Sequence, residues 1–126
     1  EKSGRAIAGL SIGAMQSIFI SAEYPDMFDY IGLFSPMYKS VIKKSGYSVI
    51  YKDLYGKQEK QFETAPELYF IAIGSRDIFH SQMEDYRHDL DKKGYGYEYF
   101  EGSGGHGWKS WKIFYSELLP KLFQEK

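Results

Sequence analysis

Residues 5–14 read RAIAGLSIGA, and the fold turns on what Ser11 does between Gly9 and Gly13. Gly-x-Ser-x-Gly arises by chance about once in ten chains of this composition, so its setting must decide. The short apolar run Arg5–Ala8 reads as a buried strand. Just after the motif, Met15, Ile18, Phe19 and Ala22 recur at helical spacing, one face of a helix ending near Tyr24-Pro25. A serine at such a strand-to-helix turn is held in a strained conformation with its hydroxyl pointing away from the sheet. Side chains at positions 9 and 13 are expected to collide with the neighbouring strand or helix, hence two glycines. The N–H of Ile12 then faces the place where an oxyanion would form, at the positive end of a helix. The alternative is a plain turn carrying an idle serine.

Working outward, the apolar runs Tyr30–Phe34, Leu68–Ile73 and Tyr97–Phe100 read as further strands. They are continuous rather than alternating, as strands covered on both faces are. Phe79, Met83, Tyr86 and Leu90 form a second helical stripe that stops at Gly94. Trp108, Trp111, Tyr115, Leu118 and Leu122 form a third, ended or kinked by Pro120. Strand and helix alternate, which predicts an α/β architecture of about four parallel strands with helices on both faces. Residues 36–67 show no clean period. There Lys39, Lys43, Lys44, Lys52, Lys57 and Lys60 are expected to form a solvated surface.

The chain has 126 residues, 43% hydrophobic and 26% charged, which fits one globular domain and argues against disorder. A net charge of −1 gives no electrostatic reason to expect nucleic acid or an anionic membrane as partner. No apolar run approaches the length of a membrane span. With no cysteine there is neither a disulfide framework nor a thiolate metal site. Glu1-Lys2-Ser3-Gly4 carries no initiator Met and no signal peptide and leads at once into a strand. The chain therefore reads as a segment of something longer.

A nucleophilic serine needs a base and an orienting acid. His106 lies in the glycine-rich stretch Glu101–Trp108, directly after the last strand, where sites collect in open α/β sheets. Asp77 follows Leu68–Ile73 through Gly74-Ser75-Arg76, although it could serve only as a helix N-cap. Glu101 is the substitute acid. Asp53, Asp85, Asp89 and Asp91 lie in or near helical patterns and are expected to be exposed. His80, Glu84 and His88 share a helix face, but no further metal ligand is evident, so a solvated face is the simpler reading. Ser11, Asp77 and His106 each follow a strand, in the chain order associated with α/β-hydrolases.

Arg5–Gly13, Tyr24-Pro25-Asp26-Met27-Phe28, Ile31-Gly32-Leu33-Phe34-Ser35, Leu68–Gly74 with Asp77, and Gly104-Gly105-His106-Gly107-Trp108 with Trp111 resemble the esterase-D-like enzymes and carbohydrate esterase family 1. That group includes feruloyl and acetylxylan esterases. The resemblance spans nearly the whole chain, with a gap in the Lys-rich middle. It implies Ser11 as nucleophile, His106 as base and Asp77 as orienting acid, with neither cofactor nor metal. The family pattern usually has Met and a second Gly where this chain has Ile12 and Ala14. Measured against the family fold, residues 1–126 correspond to a C-terminal portion lacking several strands before the elbow. The second oxyanion-hole donor is then expected outside the chain, and the Arg5–Ala8 edge is expected to pair with another copy.

The activity implied is that of a serine esterase on a small-molecule or polysaccharide ester, such as feruloyl or acetyl esters of plant polysaccharide. Secretion is suggested by the resemblance alone. A prolyl-oligopeptidase-type peptidase, a siderophore esterase, an acyltransferase or a fragment that only binds are the alternatives. Trp108 and the tyrosines could offer a stacking surface to substrate, but core packing is the expected role of these aromatic residues.

Overall fold

A computed structural model describes residues 1–38 and 52–124. Strands β1 (Ala6–Leu10), β2 (Tyr30–Phe34), β3 (Leu68–Gly74) and β4 (Glu98–Gly102) form a parallel sheet in the order β1-β2-β3-β4. Helices α1 (Ile12–Glu23), α2 (Leu54–Glu63), α3 (His80–Lys93) and α4 (Trp108–Leu118) alternate with them. Side chains alternate across a strand, and here the alternation divides the core in two. Ile31 and Leu33 of β2 and Tyr69, Ile71 and Ile73 of β3 face α1, α2 and α3. Tyr30, Phe34, Leu68, Phe70 and Ala72 face Phe114 and Leu118 of α4. Every residue of β2 and β3 is buried, as continuous apolar runs require. The outer strands depart from that expectation: Arg5, Ala6 and Ala8 are exposed, and β4 is only half-buried, because each pairs on one side among the described residues.

The first two helices with clear periods form where expected. Met15, Ile18, Phe19 and Ala22 are all buried, and α1 ends at Glu23. In α3, Met83, Tyr86 and Leu90 are buried, and Gly94 ends the helix at φ 73°, a left-handed cap that favours glycine. The inner face of α4 is rotated from expectation. Ser110, Phe114 and Leu118 are buried, whereas Trp108 is 65% exposed. Pro120 lies in a 3-10 turn, Leu119–Lys121, that closes this helix.

Helix α2 was not legible in the aperiodic stretch. Its buried residues are Leu54, Gln58 and Gln61, so two of three inward positions are polar and hide the stripe. Gln58 is accommodated because its Nε2 donates to the Tyr86 hydroxyl at 2.6 Å, which is also bonded to the Tyr69 hydroxyl at 2.6 Å. Of the expected lysine surface, Lys52 and Lys60 are exposed. Lys57 instead pairs with Glu23 at 2.5 Å, tying α2 to α1. Lys39, Lys43 and Lys44 lie outside the described residues.

Candidate active site

Each strand delivers one residue to the same carboxyl edge of the sheet. After β1, the Ser11 N–H donates to the Phe34 carbonyl at 2.8 Å, the last rung before the chain turns. Ser11 then adopts φ 55°, ψ −116°, a left-handed conformation that strains any residue with a Cβ. The turn is tight enough that a Cβ on Gly9 would run into the backbone of Gly13. At Gly13 the expected collision is absent among the described residues: a Cβ there meets nothing within 4 Å. The close approach is made by the backbone of Gly13 onto Gly9, so only Gly9 must lack a side chain. Ile12 opens α1, and its first-turn N–H has no acceptor four residues back, which leaves it free to receive an anion.

Asp77 ends the loop after β3. Its carboxylate is buried, the residue being 5% exposed, and Oδ1 accepts the Phe79 N–H at 2.8 Å. This turn precedes α3, whose N-cap is Phe79, so Asp77 does not act as the N-cap. Its Oδ2 lies 2.9 Å from Nδ1 of His106. The loop after β4 brings His106 into place, and Gly74 must be glycine there because a Cβ would strike the Gly104 carbonyl. The Ser75 and Arg76 N–H groups donate to the Gly102 and Gly104 carbonyls at 2.8 and 3.0 Å, fastening the Asp77 loop to the His106 loop.

The opposite ring nitrogen of His106, Nε2, lies 2.8 Å from the Ser11 hydroxyl. A carboxylate can only accept, so Nδ1 carries the hydrogen toward Asp77 and Nε2 presents its lone pair to Ser11. The three residues singled out in the sequence are thus one hydrogen-bonded chain across three loops. That chain can draw a proton from a serine hydroxyl and hold the resulting imidazolium beside a buried carboxylate.

Glu101 does not take the substitute role. Its Oε1 accepts from the Tyr99 hydroxyl at 2.7 Å and lies 2.6 Å from Nε2 of His80. His80 Nδ1 is 3.4 Å from Glu84, so His80 sits between two carboxylates, one on its own helix and one on β4. Among the described residues no group of three or more His, Cys, Asp or Glu side chains could hold a metal ion.

Three residues around the imidazole were not among the candidate site residues. The rings of Phe79 and Trp111 stand edge-on to His106, with centroids 5.3 and 5.2 Å away. Trp111 Nε1 donates to the Ser35 hydroxyl at 3.1 Å, and Ser35 itself sits buried at φ 53° just beyond β2. Their signal was proximity in sequence to Asp77, to His106 and to the end of β2. Trp108 packs edge-on to Trp111 at 5.5 Å and otherwise stands in solvent, which corrects the expectation of core packing. That expectation does hold for Tyr30, Tyr38, Tyr69 and Tyr86, which are buried.

The family model for the Esterase family, described as "Putative esterase", matches residues 1–122. No curated protein matches the chain. Several solved structures share the fold. The Staphylococcus aureus fluorophosphonate-binding serine hydrolase F superposes with a TM-score of 0.81 at 16% identity, over 99% of this chain and 57% of its own. An S-formylglutathione hydrolase from the same organism gives 0.76 at 18% identity, over 98% and 53%. The CE1 ferulic acid esterase of the anaerobic fungus Anaeromyces mucronatus gives 0.77 at 21% identity, over 97% and 45%. The chain spans about half the length of these structures. The match over residues 1–122, together with this α/β-hydrolase arrangement of strands, places the chain in the Esterase family.

Proposed function

We propose that the protein is a serine hydrolase of carboxylic esters, with Ser11 as nucleophile, His106 as general base and acid, and Asp77 as the orienting acid. The observation that carries this is the continuous path Ser11 Oγ–His106 Nε2, His106 Nδ1–Asp77 Oδ2, at 2.8 and 2.9 Å. Ser11 Oγ attacks the acyl carbon as Nε2 takes the hydroxyl proton. The carbonyl electron pair moves onto oxygen, which the Ile12 N–H stabilises. Collapse of this intermediate breaks the ester C–O bond, and His106 passes its proton to the departing alcohol. Water then enters with His106 as base, and the acyl group leaves as the free acid with Ser11 restored.

For the substrate we propose feruloyl or acetyl esters of plant polysaccharide. The likeness to a ferulic acid esterase supports this, as does the exposed Trp108 ring near the site, a surface on which an aromatic acyl group or a sugar could stack. A fluorophosphonate probe should label the protein at Ser11 and leave Ser11→Ala unlabelled. Turnover of methyl ferulate and p-nitrophenyl acetate should fall in Ser11→Ala by several orders of magnitude, since the three residues act as a unit. A Ser11→Ala variant keeping about a tenth of the activity would remove Ser11 from this role. Hydrolysis of peptide anilides in preference to esters would shift the assignment to a peptidase.

A further inference from the structure

A cavity of about 430 Å³ is lined by the His106 loop and α4, and Ser11 does not line it. Arg76, Gly104, Gly105, Lys109 and Ser110 are in its wall, with Ile113 and Phe114 as an apolar side. Its charge is one-sided. Arg76 comes from the loop that carries Asp77, and Lys109 from the first turn of α4. Among the described residues neither side chain makes an ion pair.

The end of α4 adds to this field. Its N-cap is Gly107, which has no side chain to cap the helix, and the first turn holds no acidic residue. Unsatisfied N–H groups there already carry partial positive charge, so a lysine in that turn is unfavourable unless an anion is present.

Ser110 provides the independent sign of a ligand. The residue is only 6% exposed, lines the cavity, and its hydroxyl has no hydrogen-bond partner among the described residues. The hydroxyl opens onto the cavity, so its hydrogen bond is left to whatever occupies that space, and a ligand oxygen would take it. Gly104 keeps the space before it open, since a Cβ at that position would stand 2.6 Å from Ser110 Oγ.

We propose that this cavity is a subsite for an oxyanion, a carboxylate or phosphate group, gripped by Arg76, Lys109, the Ser110 hydroxyl and the α4 N-terminus. The guanidinium suits a two-oxygen group, the ammonium adds a point charge, and the serine donates one hydrogen bond. Because His106 borders the cavity, such a group could belong to the ester substrate or to a separate ligand that binds beside the site. The substrate assignment rests on the esterase reading; anion binding does not.

Binding is tested by titrating the protein with inorganic phosphate at constant ionic strength and following backbone amide resonances. Saturable shifts should centre on residues 104–110, and Arg76→Gln/Lys109→Gln should weaken binding at least about tenfold. Ser110→Ala should weaken it by a smaller factor. Shifts that do not saturate, that spread evenly over other lysines, or that persist unchanged in the double variant would overturn the proposal. A second arm assigns the source. The acetyl ester of 4-hydroxybenzoate is compared with that of 4-hydroxybenzamide, and an aryl monosuccinate with an aryl succinamate. A preference in kcat/KM for either carboxylate that disappears in the double variant places the anion on the substrate. Saturable phosphate binding without such a preference places it on a separate ligand. Phosphate binding by a chain that hydrolyses no ester would sink the esterase reading and leave the subsite standing.

Discussion

Ser11 and Gly9 form one device: the strained serine exists because the chain can fold back onto a residue with no side chain. The φ of 55° at Ser11 costs on the order of 1–3 kcal/mol, which the surrounding ladder and helix must offset. Two glycine substitutions should therefore behave oppositely. Gly9→Ala drives a methyl into the Gly13 backbone, which cannot move aside cheaply, and should destabilise by about 2–4 kcal/mol in urea unfolding. Gly13→Ala adds a methyl into open space inside a helix and should be neutral or stabilising by up to about 1 kcal/mol. Equal losses in both would mean that the elbow is not packed as described. At Asp77, an amide keeps one oxygen for the Phe79 N–H and turns its NH2, a donor, toward the Nδ1 hydrogen, so the acceptor on that side is lost. Asp77→Asn should keep the wild-type melting temperature within a few degrees while kcat drops about 10³–10⁴-fold. A loss of less than tenfold would show that His106 holds its tautomer without this carboxylate.

Between elements, the end of β4 is joined to the start of α3 by His80 and Glu101. The hydrogen bonds from His80 and then Tyr99 hold the Glu101 carboxyl below its ordinary pKa. A lowered folded value means that this link stabilises the protein above the ordinary glutamate range and is lost as pH falls through the lowered value. Glu101 is exposed, so the contribution is small. Glu101→Gln should lower the melting temperature slightly at neutral pH, and the difference from wild type should close as the solution is acidified. A difference that widens on acidification would mean the link has the opposite sign. The same scale explains α2, where Gln58 faces inward for the Tyr86 hydroxyl and so breaks the apolar period that marks α1 and α3.

Across the whole molecule, one side of the sheet holds a cluster of buried tyrosines. Burial raises Tyr69 and Tyr86 well above the ordinary tyrosine value, and it does the same for Tyr38, with help from Tyr55 and Asp89. A raised folded value means stability is intact below pH about 10, where unfolded tyrosine ionises, and declines as pH rises further. Alkaline titration followed by tyrosinate absorbance should show these phenols ionising together with loss of the helical circular dichroism signal. Smooth ionisation with the helical signal intact would contradict their burial. The sheet also ends, among the described residues, at β1, with Arg5, Ala6 and Ala8 exposed. We propose that this edge pairs with a second copy of the chain, because an unpaired strand offers a row of free donors and acceptors. Light scattering should then give more than the 14.6 kDa of one chain, and a monomer at all concentrations would refute it.

Local pattern by itself determined the parallel α/β order and three of the four helices, and it singled out Ser11, His106 and an acid, Asp77 ahead of Glu101, as candidates, because strand runs, helical stripes and glycine-bounded turns are signals carried by neighbours in sequence. It also brought the resemblance that the family match bears out. What only the tertiary structure decided is where chain segments far apart press on each other. The choice of Asp77 over Glu101 came from which loop lies against His106, and the need for Gly9 but not Gly13 from how α1 folds back on β1. The rotation of α4 that leaves Trp108 in solvent and the inward glutamines of α2 have the same origin. In each case the deciding contact is made by a partner residue remote in the chain, and periodicity along the sequence holds no trace of such a partner.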